Sequence, residues 1–276
     1  MTPPPLAAVI GWPIGHSRSP KLHGHWLARY RIDGHYIPIA LAPEDFAAGL
    51  AALPGLGFRG ANVTIPHKEA ALALATEATE RAARIGAANT LTFLPDGGIH
   101  ADNTDGYGFL ENLRQGAPGW RAAGGPVLVL GAGGAARAIL AALIDDGAPE
   151  IRLANRTRAR AEALADAFGP KIRVIDWAEA SAAVDGARTI VNTSALGMVG
   201  QPPLDISLDA AAPGTLVNDL VYQPLVTPIL AAAAARGLLA VDGLGMLLHQ
   251  GVPGFERWFG MRPLVDADLR AAVLAP

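Results

Sequence analysis

The 276-residue sequence contains no cysteine, which excludes a disulfide framework, a thiolate nucleophile and a cysteine metal site. Its 22 basic and 25 acidic side chains nearly balance, so the charge gives no reason to expect a nucleic acid or an anionic membrane as partner. No apolar run is long enough to span a bilayer, and the proline-rich, uncharged start from Met1 to Leu6 is unlike a signal peptide. We therefore expect a cytoplasmic protein, with enough apolar residues (51%) for two modest domains or one large one.

The clearest motif is an apolar run followed by glycines. Val127–Leu130 is typical of a buried parallel strand, and the alanine-rich segment from Gly134 is typical of a helix. Between them the sequence from Gly131 to Ala136 follows the pattern G-x-G-x-x-A. The first glycine of such a pattern makes a tight turn, the second lets the backbone approach a pyrophosphate, and the third position needs only a small residue. The motif therefore predicts a dinucleotide site at the start of a helix, against the alternative of a plain loop.

Residues after the second nucleotide strand, Ile151–Ala154, indicate which dinucleotide is bound. A fold that prefers NAD places an acidic residue there, on the ribose 2′-hydroxyl. This sequence has Asn155 instead, followed by Arg156, Arg158 and Arg160. Guanidinium groups pair with the 2′-phosphate that an acid would repel. NADP is therefore predicted, and the alternative is a solvated arginine loop.

Alternating strands and helices predict an α/β arrangement in the first hundred residues. Strands are expected at Ala7–Gly11, Tyr36–Leu41, Gly57–Ile65 and, as a hairpin, on either side of Asp96-Gly97-Gly98. Ser19 before Pro20 is expected to cap the first helix. Further along, the Gly/Pro-rich stretch Pro118–Gly125 is expected to connect two domains.

Short polar side chains cluster where these strands are expected to meet helices. They are Ser17, Ser19, Asn62, Thr64, Asn89, Thr90 and Asp105. Because ligands bind outside the carboxyl ends of strands in an open α/β sheet, these groups suit a small polyol or hydroxy acid. His16 and His67 also lie in these motifs, but Lys68 beside Asp105 is the pair suited to exchange the proton that accompanies hydride transfer. Each residue alone has a structural explanation, whereas the set beside a nucleotide domain predicts an active site.

Several motifs occur in order along nearly the whole chain. They are Gly11–Pro20, Asn62–Lys68, Gly86–Leu91, Asn103–Gly106, Gly131–Ala136, Asn155-Arg156-Thr157 with Arg160, Asn192-Thr193-Ser194 with Gly197-Met198, Asp219–Thr227 and Met246–Gln250. On these motifs the sequence resembles the shikimate dehydrogenase family. It departs from the family pattern at Gly24, where asparagine is usual, and at Ala101, where glycine often precedes D-N-T-D.

The resemblance implies reversible NADPH-dependent reduction of 3-dehydroshikimate to shikimate, in aromatic amino-acid biosynthesis. It implies that Lys68 and Asp105 are the catalytic pair and that Ser17 and Ser19 bind the substrate carboxylate. The other substrate residues that it implies are Asn62, Thr64, Asn89, Tyr222 and Gln250. The cofactor residues are Gly131, Ala132, Gly133, Gly134, Ala135, Asn155, Arg156, Thr157, Arg160, Asn192, Thr193 and Gly243. No metal is expected, and the state is a monomer or a homodimer.

The expected architecture is a two-domain α/β protein. Residues 1–106 would form the substrate-binding and catalytic domain, and residues 107–242 a Rossmann-type NADP-binding domain. The amphipathic helical tail, residues 243–276, would return to the substrate domain because its apolar face needs a surface to cover.

Two alternatives stay open at this stage. One is a quinate or quinate/shikimate dehydrogenase of the same superfamily, which often has threonine at the second hydroxyl of H-S-x-S and an acid after the second nucleotide strand. Ser19 and Arg156 both argue against it. The other is a non-catalytic module that senses NADP or a metabolite, which would be expected to have lost Lys68 or Asp105.

Overall fold

Helices and strands are spread along residues 3–275, the residues that the computed structural model describes. They divide into two units: one contains the described residues up to Asp105 and from Leu247 onward, and the other is Gly106–Met246. The stretch Pro118–Gly125 lies inside the second unit, so its predicted role as a connection between domains is wrong. Within residues 3–275, no helix is long and apolar enough to cross a membrane.

The first unit is built on one mixed sheet. Its strands are β1 (Leu6–Gly11), β2 (His35–Ala40), β3 (Phe58–Val63), β4 (Glu77–Ala78), β5 (Thr90–Phe93) and β6 (Ile99–Asp102), in the spatial order β2-β1-β3-β5-β6-β4. β1, β2 and β3 are parallel, whereas β5 runs antiparallel to both β3 and β6, as the predicted hairpin requires. The start of β5 therefore lies at the same edge of the sheet as the ends of β3 and β6.

Helices cover both faces of this sheet. They are α1 (Ser19–Arg29), α2 (Phe46–Ala52), α3 (Lys68–Ala73), α4 (Glu80–Ile85), the later part of α9 (Leu244–Phe259) and α10 (Ala267–Leu274). On one face Phe46 and Leu50 pack with apolar residues of the strands, and on the other Trp26, Phe255 and Trp258 form an aromatic cluster. Trp258 donates its indole N–H to the carbonyl of Leu91 at 3.0 Å, so the amphipathic tail helix packs directly on the sheet.

The second unit is built on an all-parallel sheet. Its strands are β7 (Val127–Leu130), β8 (Ile151–Ala154), β9 (Ile172–Ile175), β10 (Thr189–Asn192), β11 (Leu216–Asp219) and β12 (Leu239–Val241), in the order β12-β11-β10-β7-β8-β9. Numbered within the unit and read from the β9 edge, this is 3-2-1-4-5-6, the Rossmann order, with the switch point between β7 and β10. The prediction of an α/β protein with a Rossmann-type sheet is confirmed.

Side chains of β7 show why this strand is central. Val127 and Val129 pack into the core on one face, and Leu128 and Leu130 pack into the core on the other. This alternation follows from the period of two along a strand, and a strand buried on both faces is apolar throughout. The helices of this unit are the body of α5 (Asp105–Gly116), α6 (Gly134–Asp145), α7 (Arg158–Phe168), α8 (Pro228–Ala235) and the first turn of α9.

Candidate active site and nucleotide site

Lys68 and Asp105 form an ion pair, with Lys68 Nζ 2.5 Å from Asp105 Oδ2. Lys68 begins α3 just after β3, and Asp105 begins α5 just after β6. The two residues meet because β3 and β6 end at the same edge of the first sheet. Their side chains are 28% and 13% exposed, so a small ligand can reach them while much of the surrounding water is excluded. This arrangement suits proton exchange with a bound hydroxyl.

Asn89 links this ion pair to the tail helix. Its Nδ2 donates to Asp105 Oδ1 at 2.7 Å and to Gln250 Oε1 at 3.4 Å, and its Oδ1 accepts from the backbone N–H of Thr104 at 2.8 Å. The hydroxyl of Thr104 also donates to the carbonyl of Gln250 at 2.8 Å. Sequence reasoning did not select Thr104, although it lies inside the motif Asn103–Gly106. Three segments that are far apart in the chain, at Asn89, Thr104-Asp105 and Gln250, thus form one polar network.

Two details of the sequence prediction are wrong here. Asn89 and Thr90 do not follow a strand at a strand-to-helix junction: Asn89 immediately precedes β5 and Thr90 is its first residue, and both reach the site edge only through the antiparallel direction of β5. Asn62 lies inside β3 and uses both ends of its amide within the protein. It accepts from the Tyr36 hydroxyl at 2.7 Å and donates to the carbonyl of Asn89 at 3.1 Å. Asn62 therefore supports Asn89 from beneath.

The loop that carries Ser17 follows β1 at the same edge of the sheet and leads into α1. Ser19 is buried and is the first residue of α1, with Arg18 at the N-cap position and no side-chain cap. The prediction that Ser19 caps α1 is thus wrong, and the Ser17 hydroxyl instead accepts from the Ser19 N–H at 3.3 Å. Thr64 follows β3 and donates its N–H to the carbonyl of Ile10 at 2.9 Å, which brings it beside the end of β1. Tyr222, by contrast, belongs to the second unit.

Two histidines of the first unit, His23 and His67, serve packing. His67 is buried, stacks on Phe46 at 4.3 Å and has Nε2 2.8 Å from the carbonyl of Leu41, whereas His16 is exposed. His23 is fully buried and stacks on Tyr36 at 3.9 Å. Burial lowers the pKa of His23 from 6.5 to about 3, which the nearby Asn62 offsets only in part, so the ring is neutral near pH 7.

The glycine turn after β7 has room for a pyrophosphate. Gly131 has φ +110°, and a side chain there would come within 2.8 Å of Thr193 Oγ1, so only glycine fits. At Gly133 and Gly134 an added Cβ would meet nothing within 4 Å, and α6 begins at Gly134 with Gly133 as its N-cap. The backbone at this helix start therefore borders open space, where its N–H groups and positive dipole end favour an anion. Ala132 and Ala135, the other predicted residues of the turn, flank these glycines.

Three arginines follow β8, and they differ in their partners. Arg158 is paired with Asp176 at 2.6 Å and with Glu162 at 2.8 Å. Arg156 and Arg160 are exposed, and among residues 3–275 neither side chain forms an ion pair or hydrogen bond. The positive charges of Arg156 and Arg160 are therefore available to a phosphate, whereas that of Arg158 is already compensated.

The remaining predicted cofactor residues shape the turn. Asn155 accepts from the Ala132 N–H at 3.1 Å and donates to the carbonyl of Thr157 at 2.8 Å, which ties the end of β8 to the glycine turn. Thr193 donates to the carbonyls of Leu130 and Gly131, each at 3.0 Å, and so joins β10 to β7 at the switch point.

Two predicted cofactor residues, Asn192 and Gly243, are buried in the second unit. Asn192 is buried and donates to Asp219 at 2.8 Å, which links β10 to β11. At Gly243 an added Cβ would lie 2.2 Å from the carbonyl oxygen of Leu220, so glycine is required by packing. These contacts hold the loops at the carboxyl ends of the strands, where the fold places its ligands.

Family models match most of the chain. A model described as the shikimate dehydrogenase substrate binding domain matches residues 9–91. Models described as shikimate/quinate 5-dehydrogenase and as the shikimate 5′-dehydrogenase C-terminal domain match residues 118–197 and 243–273. Among curated relatives, the NADP(+) shikimate dehydrogenase of Paracoccus denitrificans (strain Pd 1222) is 64% identical over 271 residues, covering 98% of this chain and 96% of the relative.

Solved structures of similar fold include enzymes with bound ligands. Shikimate 5-dehydrogenase from Thermus thermophilus, in complex with NADP(H) and shikimate, aligns with a TM-score of 0.85 and 36% identity over 97% of this chain and 98% of that chain. Quinate dehydrogenase from Corynebacterium glutamicum, in complex with NAD, aligns with a TM-score of 0.91 and 30% identity over 98% of this chain and 99% of that chain.

Proposed function

The chain belongs to the shikimate dehydrogenase family, and we propose that Lys68 and Asp105 carry out the proton transfer of its reaction. That reaction is the reversible reduction of 3-dehydroshikimate to shikimate with NADPH. The observation that carries the proposal is the 2.5 Å contact between the Lys68 ammonium and the Asp105 carboxylate, in a partly shielded position. NADPH supplies the hydride when it is bound.

Reduction of a ketone to an alcohol needs a proton on the oxygen as hydride reaches the carbon. The Lys68 ammonium donates that proton to the developing alkoxide, and in the reverse direction the neutral amine accepts it. Asp105 holds the lysine side chain in place and accepts a hydrogen bond from Asn89 at 2.7 Å. A carboxylate fixed in this way also accepts a bond from a substrate hydroxyl, which orients the substrate.

The groups around this pair suit a hydroxylated ring acid. Asn89 and Gln250 carry amides that both donate and accept, and Thr64 carries a hydroxyl, so these side chains match ring hydroxyls. Ser17, in the loop after β1, and Ser19, at the start of α1, offer two hydroxyl donors, which suit a carboxylate. Asn62 would act through Asn89, which it supports, and Tyr222 stays in the proposed set as a residue of the second unit.

The second unit is proposed to bind NADP and the first unit the substrate. Open space at Gly133 and Gly134 fits a pyrophosphate, and Arg156 and Arg160 would hold the 2′-phosphate. Asn155, Thr157, Asn192, Thr193 and Gly243 would shape the remaining cofactor surface. An NAD-preferring site would instead need an acid at the end of β8, where this chain has Asn155.

The test is a two-by-two assay that follows reduced nicotinamide by absorbance, with shikimate or quinate and with NADP or NAD. The proposal expects turnover of shikimate with NADP, at a kcat/KM well above the other three combinations. A higher kcat/KM with quinate and NAD would favour the quinate dehydrogenase alternative. Binding of NADP without turnover of either acid would favour the sensing module.

Cellular location and oligomeric state are also proposals. A cytoplasmic location agrees with the sequence, and subcellular fractionation tests it. The state is proposed to be a monomer or a homodimer, and light scattering during size-exclusion chromatography tests it.

A further inference from the structure

Asp102 takes no part in the proposed proton transfer, yet among the carboxylates near the site it accepts the most hydrogen bonds. Its side chain is 0% exposed and accepts five hydrogen bonds. Arg81 donates Nε at 2.6 Å and Nη2 at 2.5 Å, and Arg257 donates Nη2 at 3.1 Å. The Thr79 hydroxyl donates at 2.9 Å and the Asn103 N–H at 2.7 Å. We call these five residues the Asp102 cluster.

The two arginines of the Asp102 cluster come from helices that precede or carry proposed site residues. Arg81 is on α4, whose C-terminal end leads directly to Asn89. Arg257 is on α9, two turns after Gln250 and therefore on the same side of the helix. One buried carboxylate thus joins β6, α4 and α9.

A short relay connects the Asp102 cluster to the catalytic carboxylate. The Asn103 N–H binds Asp102, and Asn103 Oδ1 accepts from the Asp105 N–H at 3.1 Å. Asn103 Nδ2 donates to the carbonyl of Ala87 at 2.9 Å, and the Asn89 N–H donates to the carbonyl of Asp102 at 3.0 Å. The loops that present Asn89 and Asp105 are therefore held to each other by the same few bonds.

We propose that Asp102 is a positioning residue for the proton-transfer site: its carboxylate, clamped by Arg81 and Arg257, fixes the loops and helix that place Asp105, Asn89 and Gln250 around the substrate. The inference rests on the proposed function, since it assigns Asp102 a part in that reaction. Misplacement of catalytic groups by about 1 Å can cost up to about 100-fold in rate. Removing the charge at Asp102 should consequently reduce turnover as well as stability.

The primary test compares Asp102→Asn with Asp146→Asn. Asp146 is a matched control because it also accepts from an arginine, Arg114 at 2.5 Å, and from a backbone N–H, that of Ala122 at 2.9 Å, but it belongs to the second unit and to no proposed site. At saturating shikimate and NADP, and well below the melting temperature, Asp102→Asn should lower kcat about tenfold or more with unchanged affinity for NADP. Asp146→Asn should lower the melting temperature and leave kcat unchanged. Equal kcat in the two variants would overturn the proposal.

A second set of variants applies if Asp102→Asn does not fold. Arg257 is partly exposed (34%) and makes one contact with the carboxylate, so Arg257→Met should fold, with kcat reduced several-fold. Arg257→Lys should restore most of that kcat, because an ammonium can make a single bond. Arg81→Lys should restore little of the kcat that Arg81→Met loses, because Arg81 binds the Asp102 carboxylate through two nitrogens. Unchanged kcat in Arg257→Met would overturn the proposal.

Hydrogen exchange gives a readout that does not depend on turnover. Peptides spanning residues 86–105 and 247–252 should exchange faster in Asp102→Asn than in wild type, and not in Asp146→Asn. Unchanged exchange there would overturn the positioning role even if the wild-type enzyme is active. A wild-type enzyme that does not oxidise shikimate would refute the proposed function instead, so the two failures are distinguishable.

Discussion

Cofactor choice can be tested with two neighbouring arginines that differ in their partners. Arg156 and Arg158 are both exposed and two residues apart, yet only Arg158 is paired with carboxylates, those of Asp176 and Glu162. A charge-assisted hydrogen bond to a phosphate contributes about 1.5–3 kcal/mol, which corresponds to roughly 10- to 150-fold in affinity. Arg156→Ala should therefore weaken NADP binding by that factor and leave NAD binding nearly unchanged, because NAD lacks the 2′-phosphate.

Arg158→Ala is the matched control. It removes two exposed ion pairs, which contribute little to stability because water and salt screen them, and should change the affinity for neither cofactor. The assay is a pair of titrations, NADP and NAD, on each variant at one fixed ionic strength, because salt screens such contacts. If Arg156→Ala weakened both cofactors by the same factor, the arginine would support the loop and the 2′-phosphate assignment would have to be withdrawn. A larger loss of NADP affinity in Arg158→Ala would also refute it.

Two further predictions concern the first unit. Ser17→Ala should raise the KM for shikimate about tenfold or more with unchanged affinity for NADP, since it removes one donor to the substrate carboxylate; equal losses for both ligands would instead indicate a disordered fold. His23 stays neutral in the folded protein down to about pH 3, whereas in the unfolded chain it takes up a proton near pH 6.5. Below about pH 6.5, His23 should therefore lower the free energy of unfolding by about 1.4 kcal/mol for each pH unit. Denaturant titrations of wild type and His23→Phe between about pH 6.5 and 5 should show about 2 kcal/mol less loss in the variant, and equal slopes would contradict the buried neutral imidazole.

Local sequence signals were sufficient where one segment determines its own structure. The apolar run Val127–Leu130 is β7 to the residue, and the glycine motif after it leads into α6 at Gly134. Apolar alternation and turn glycines act over a few neighbouring residues, which explains why these elements could be predicted. The predicted N-cap of α1, Ser19, is wrong by one residue, because the Ser17 hydroxyl accepts from the Ser19 N–H, a local alternative to capping.

Features that depend on distant residues could not be predicted in the same way. Asn89 reaches the site because β5 pairs antiparallel with β3 and β6, and no pattern around Asn89 specifies that direction. The pairing of Arg158 with Asp176 joins α7 to the end of β9. The sequence alone therefore did not show that the charge of Arg158 is compensated whereas that of Arg156 is not. The burial of Asp102 between two arginines likewise depends on how α4 and α9 pack.

The most direct test of the proposed chemistry is the kcat of Lys68→Met. Methionine resembles lysine in length but has no ionisable proton. General acid–base groups typically raise the reaction rate about 100- to 10,000-fold. The chain has three lysines, and Lys171, exposed in the second unit, provides the matched control as Lys171→Met. With shikimate and NADP at saturation, Lys68→Met should lose kcat by that factor with a much smaller change in KM, while Lys171→Met keeps the wild-type kcat. A Lys68→Met enzyme that retained more than about a third of the wild-type kcat would remove Lys68 from the mechanism.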